Sequence, residues 1–251
     1  MSDPRPTNPF SSTTVPRAAI DGAATSDDGS QAIRVDAKTQ QAFLTQAFVW
    51  MFAGLALTAG IAFVVQGNAR LLEFAQGNIL ILFVAQFALV LAISFGIRRM
   101  SATTALGAFF VYAASLGLTI GLIVSAYTQA SVVSAFLSAS AMFGGAAIYG
   151  HVTKRSLAKI GSLLVMGLIG LFVALLINAF LRSDVVGWVL SIIGVVVFTG
   201  LTAWDVQRIQ NGQLAVWTGS TEKAAVLGAL FLYLDFINIF LFLLRLFGSR
   251  D

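Results

Sequence analysis

The chain has 251 residues, of which 58% are hydrophobic and only 10% charged, and its mean hydropathy is +0.88. A soluble domain keeps about a quarter of its residues charged to wet its surface, so this composition excludes a water-soluble globule. No cysteine is present, which excludes disulfides, thiolate nucleophiles and cysteine metal sites.

Residues 1–42 are polar and rich in Ser, Thr, Pro, Asp and Gln, and they read as a disordered cytoplasmic tail. This segment is too long and too polar for the basic region of a signal peptide, so the first apolar run stays in the protein as an anchor. Residues 43–251 form a single transmembrane domain. It holds seven apolar runs, at about 43–66, 78–97, 104–126, 131–150, 161–181, 185–205 and 223–247. Each is close to the ~20 residues that cross a hydrocarbon core about 30 Å thick. The predicted fold is an all-α integral membrane protein with seven transmembrane helices. Short connections imply antiparallel neighbours packed as a bundle. Gly117-Leu-Thr-Ile-Gly121 and the Gly144-Gly145 pair supply small residues of the kind that let helices approach in lipid, and they read as packing positions.

Charge placement orients the chain. Arg5, Arg17, Arg34, Lys38, Arg98, Arg99, Lys154, Arg155, Lys159, Arg208 and Lys223 fall on one side, eleven of the fifteen Lys and Arg. Arg70, Arg182, Arg245 and Arg250 fall on the other. Positive residues stay inside, so the N terminus is expected in the cytoplasm and the C terminus across the membrane. The sequence pI near 9.8 arises from these flanking loops, so the lipid bilayer, and not nucleic acid, is the expected partner.

Six spans have no ionisable residue in their interiors; the seventh carries Asp235 in its middle. A carboxylate at the centre of a membrane helix costs about 2.5–3.5 kcal/mol or more, so it faces the bundle interior, with a partner, and marks a function by default. Helical spacing puts Asn238 on the same face at i+3, along with Gly228, Phe231, Phe242 and Arg245 at related spacings. Asp205, at the cytoplasmic end of the sixth span, is the best candidate partner. Two carboxylates within a few ångströms cannot comfortably both ionise, so such a pair shares a proton. Arg98, at the cytoplasmic end of the second span, reads either as their counter-charge or as a positive-inside anchor. Gln86 and Asn178 are single amides in apolar helices and read as bridges between neighbouring helices. His151, next to Lys154 and Arg155, reads as an interfacial residue. No nucleotide-binding loop, metal-ligand spacing or nucleophile triad is present, so no enzyme activity and no cofactor are expected. A retinal protein needs a lysine within its last span; here Lys223 stands only at its start.

The last span, Leu232-Tyr-Leu-Asp-Phe-Ile-Asn-Ile-Phe-Leu-Phe-Leu-Leu-Arg-Leu-Phe-Gly248, resembles the C-terminal signature of the Bax inhibitor family, the transmembrane Bax inhibitor motif family. The resemblance continues through Gly117-Leu-Thr-Ile, Tyr127-Thr-Gln-Ala-Ser-Val-Val-Ser-Ala-Phe136, Gly150-His-Val-Thr-Lys154, Met166-Gly-Leu-Ile-Gly-Leu171 and Asp205-Val-Gln. These segments cover nearly everything from about residue 45 to the end, and the bacterial inner-membrane branch is the most similar. The resemblance implies seven helices with the last in the middle of the bundle. It also implies a pH-sensitive calcium leak, with Asp205 and Asp235 as a di-aspartyl sensor and Arg98 as a basic latch beside it. One departure stands out: some bacterial relatives carry an acidic residue in the second span, where this chain has Gln86 and Phe87. A regulatory role without transport is the alternative, since some bacterial relatives are thought to engage a membrane-bound AAA+ protease, which would use the polar tail. An intramembrane aspartyl hydrolase is disfavoured, because neither aspartate stands in a Gly-x-Gly-Asp setting.

Overall fold

Every predicted apolar run is a helix. The computed structural model describes residues 37–249, with side chains from residue 42 onward. The predicted tail lies outside the described residues as far as position 36, and Ala37 already begins a helix. In chain order the elements are α1 (Ala37–Gln66), α2 (Ala69–Gly77), α3 (Ile79–Gly96), α4 (Ala102–Val124) and α5 (Gln129–Val152). They continue with α6 (Ala158–Leu181), α7 (Asp184–Gln210), α8 (Gln213–Thr218) and α9 (Thr221–Phe247). No strand occurs among the described residues. Seven of these helices are long and apolar enough to cross a membrane, as expected: α1, α3, α4, α5, α6, α7 and α9.

Most ends lie within a few residues of the predicted ones, and each misfit has a physical reason. Helix α7 runs five residues past the apolar limit, to Gln210, because Asp205 and Arg208 pair one turn apart and support the helix where hydropathy ends. Helices α2 and α8 lie in the connections between apolar runs, where hydropathy predicts no span. Each is short, and the Asn68 side chain starts α2 by accepting hydrogen bonds from the amides of Arg70 and Leu71. Gly212 and Gly219, both at φ +68°, bracket α8 in the left-handed region that glycine enters without strain. With seven antiparallel spans, α2 and α8 fall at opposite ends of the bundle.

The spans differ sharply in enclosure. In the most apolar window of α9, 78% of the residues are buried, against 11% in α3 and in α6. Helix α9 packs against α1, α4, α5 and α7, whereas α6 packs on α7 and α3 on α4. The α1–α4 seam uses the predicted small residues. A Cβ added to Gly117 would lie 2.7 Å from Ile61, and one added to Gly121 would lie 2.7 Å from Val65. Gly144 and Gly145 behave differently, with nothing within 4 Å of an added Cβ. At the centre, the Thr58 hydroxyl donates to the Ala113 carbonyl at 2.9 Å and accepts from the Tyr233 hydroxyl at 2.6 Å. That chain joins α1, α4 and α9 through three otherwise apolar surfaces, a use of hydroxyls that membrane helices share.

Candidate functional site

Asp205 and Asp235 are both buried, at 6% and 3% exposure, on the adjacent helices α7 and α9. They stand close enough to interact electrostatically, and the Thr202 side chain, one turn before Asp205, interacts with Asp235. The two acids that the sequence singles out therefore share one neighbourhood. Asp235 Oδ2 is buried with no hydrogen-bond partner. The Thr202 hydroxyl donates to the Phe198 carbonyl at 2.8 Å within α7.

The counter-charge at this site is Arg208. Its Nη1 lies 3.0 Å from Asp205 Oδ1, the only ion pair among the described residues. Its guanidinium also stacks over Trp204 of α7, 4.3 Å from the ring centre, and lies 5.6 Å from the ring of Phe231 in α9. The charge-assisted bond and the Trp204 contact hold the arginine within α7, and the contact with Phe231 is the one that reaches α9. The sequence reading counted Arg208 only as a topology signal. Its i+3 spacing from Asp205 was the clue that could have found it.

Arg98 is exposed in the turn after α3, and its backbone carbonyl accepts a hydrogen bond from Lys223 Nζ of α9 at 3.2 Å. No contact joins its guanidinium to either aspartate in the ion pairs of the described residues. Asn238 Nδ2 donates to the Leu234 carbonyl of its own helix at 2.7 Å, on the half-exposed stripe with Phe231, Leu234 and Leu241. Gln86 is a bridge, as its setting suggested: Nε2 donates to the Ser115 carbonyl at 3.0 Å and to Thr119 Oγ1 at 2.8 Å, fastening α3 to α4. Asn178 is buried in α6 and its Oδ1 finds no hydrogen-bond partner. His151 is exposed at the end of α5. Among the described residues no three His, Asp or Glu side chains come together in a way that would hold a metal ion.

Gln207 has a role that sequence reasoning missed. Its Oε1 accepts from the Leu157 amide at 2.8 Å, and its Nε2 donates to the Arg155 carbonyl at 2.9 Å. It clips the α5–α6 connection to α7 two residues beyond Asp205. Nothing in a lone glutamine marks such a contact, because both partners are backbone groups some fifty residues away. Replacing Gln207 with leucine strands one amide and one carbonyl, each worth about 1–3 kcal/mol when buried. The connection carries Lys154 and Arg155, so the expected readout is trypsin cleavage there roughly tenfold faster than in the native protein, with the remaining sites unchanged.

The pattern of the family described as "Inhibitor of apoptosis-promoting Bax1" matches residues 40–251, which takes in every span and the whole of this site. The chain belongs to the Bax inhibitor family. It is similar to the inner membrane protein YbhL of Escherichia coli K12, 42% identical over 216 residues, covering 84% of this chain and 92% of that protein. An uncharacterized protein of Deinococcus radiodurans is 44% identical over 211 residues, 83% of this chain and 91% of the relative. One from Borreliella burgdorferi is 40% identical over 213 residues, 83% and 92% of the two chains. Within this member of the Bax inhibitor family, the two buried acids lie on α7 and α9, and Arg208 of α7 pairs with Asp205.

Proposed function

We propose that this Bax inhibitor family protein is a pH-sensitive cation leak, with calcium as the permeant ion, gated by protonation of Asp205 and Asp235. The observation that carries the reading is the charge count: two buried carboxylates stand on adjacent helices, and one arginine pairs with Asp205 alone. With both acids ionised, one buried negative charge is left over. With one proton, the Asp205–Arg208 pair and a neutral Asp235 sum to zero. With two protons, Arg208 loses its partner. Unpaired buried charge is strongly unfavourable, so the one-proton state is the resting, closed state. Asp205 has Arg208 for a counter-charge whereas Asp235 Oδ2 is buried without a hydrogen-bond partner, which supports placing that proton on Asp235.

A second proton, arriving as pH falls, neutralises Asp205 and frees Arg208 from the seam it forms with Trp204 and Phe231. Helices α7 and α9 then loosen at the α8 end. Arg98 enters as the end of α3 that Lys223 holds to α9, so movement of α9 also releases α3. We place the protein in the bacterial inner membrane with the N terminus cytoplasmic, by analogy with the E. coli inner membrane protein YbhL and from the bias of Lys and Arg. The test is calcium entry into proteoliposomes of the purified protein, at about pH 6 and about pH 8. Entry above that of empty vesicles and faster at the lower pH is expected. Entry no faster than in empty vesicles at either pH refutes the leak.

A further inference from the structure

At the end of the bundle opposite Asp205, a groove of about 320 Å³ opens between α1, α2 and α4. That volume is at the lower edge of the range of ligand-binding cavities. Gly60, Ile61, Val64 and Val65 of α1, Leu71 of α2 and Leu118 of α4 line it, and its surface is almost wholly apolar. Gly60 leaves it open, since nothing lies within 4 Å of where its Cβ would be. Ile61 and Val65 cannot shift to close it, because they are wedged against Gly117 and Gly121. Water is a poor occupant, as it needs two or more polar partners that these walls lack.

The groove runs along α1 from Ala56 to Val65, a rise of about 14 Å at ~1.5 Å per residue. That is about half of a ~30 Å hydrocarbon core, the depth of one leaflet. Helix α2 supplies Leu71 to the lining and has the make-up of an interfacial helix. Ala75 is buried, Leu71 and Leu72 half-buried, and Arg70, Glu73 and Gln76 exposed. Arg70 makes no ion pair with Glu73 or any other described residue, and it precedes the lining residue Leu71 directly. We propose that this groove is a phospholipid site, which takes one acyl chain from the adjoining leaflet while Arg70 meets the phosphate of its headgroup.

The experiment is native mass spectrometry of the full protein released from vesicles of phosphatidylethanolamine and phosphatidylglycerol, scoring the fraction that retains one phospholipid. Gly60→Phe fills the groove and is expected to lower that fraction about tenfold, the equivalent of ~1.4 kcal/mol in binding. Gly170→Phe, at an equally open glycine on α6, adds the same ring elsewhere and is expected to retain lipid as the native protein does. Arg70→Gln alters only an exposed side chain and is expected to reduce retention about fivefold, the weight of one cation at a lipid surface. Should Gly60→Phe fail to fold, Arg70→Gln decides the matter. Native-like retention in Arg70→Gln overturns the proposal, as does equal loss in Gly170→Phe and Gly60→Phe.

Discussion

Replacing Gly150 with alanine is expected to destabilise the bundle by about 3 kcal/mol or more, the upper range for overpacking. Gly150 is the buried residue at which α5 passes α7, and an added Cβ would run into the Ala203 carbonyl, its carbon and its Cα. Every atom in the way is backbone, so no side chain can rotate to make room and the two helices must move apart. A membrane bundle gains little from apolar burial against lipid, so lost close packing is felt in full. Gly144→Ala is the matched control six residues earlier in the same helix, where the space is open, and it should melt like the native protein. Thermal unfolding of the detergent-solubilised protein distinguishes the two. Because Ala203 precedes Asp205 by two residues, Gly150→Ala is also expected to shift any pH response that depends on the aspartates.

Removing the arginine is the second large effect. Arg208→Met leaves Asp205 buried and without a counter-charge, a change worth about 3–5 kcal/mol in a fully buried pair. The Arg208 side chain is 24% exposed, so solvent screening trims the expected loss to about 2–3 kcal/mol. Its dependence on pH has a definite sign. Ionised Asp205 needs the arginine and protonated Asp205 does not, so the gap between native and variant is largest in alkali and narrows as pH falls. The double variant Asp205→Asn with Arg208→Met removes both charges and should recover most of the lost stability. Melting curves recorded across pH for all three proteins check this. An Arg208→Met gap that widens in acid would show that the arginine stabilises something other than the Asp205 carboxylate.

Spans, their order and the burial of Asp235 inside the bundle were legible in the chain because each follows from the cost of placing polar groups in hydrocarbon. Hydropathy alone located α3, α5 and α6 to within a few residues. It stopped α7 at Asp205, because it scores two charges as an end even where they pair along the helix. It also assigned Arg208 to topology and offered Arg98 as the counter-charge, since both lie at helix ends and only tertiary packing separates them. Asn238 stands about sixty degrees round α9 from Asp235 and is half-buried where Asp235 is buried, a difference that helical spacing alone does not announce. Gln207 and Thr202 act through backbone carbonyls and amides, and no residue type announces such partners. Gly117 and Gly144 have the same composition signal, yet one seats a neighbouring helix and the other meets open space.

The gating account rests on Asp205 as the group that takes the second proton, and calcium flux through the Asp205→Asn protein tests it most directly. Reconstituted native protein and variant are compared from about pH 6 to about pH 8, with protein content and melting temperature matched. The account predicts that the native flux rises as pH falls, whereas the variant holds a nearly constant flux across the range because its amide cannot titrate. A variant that folds normally and keeps the full native pH dependence would contradict it, and would assign the switch to another group.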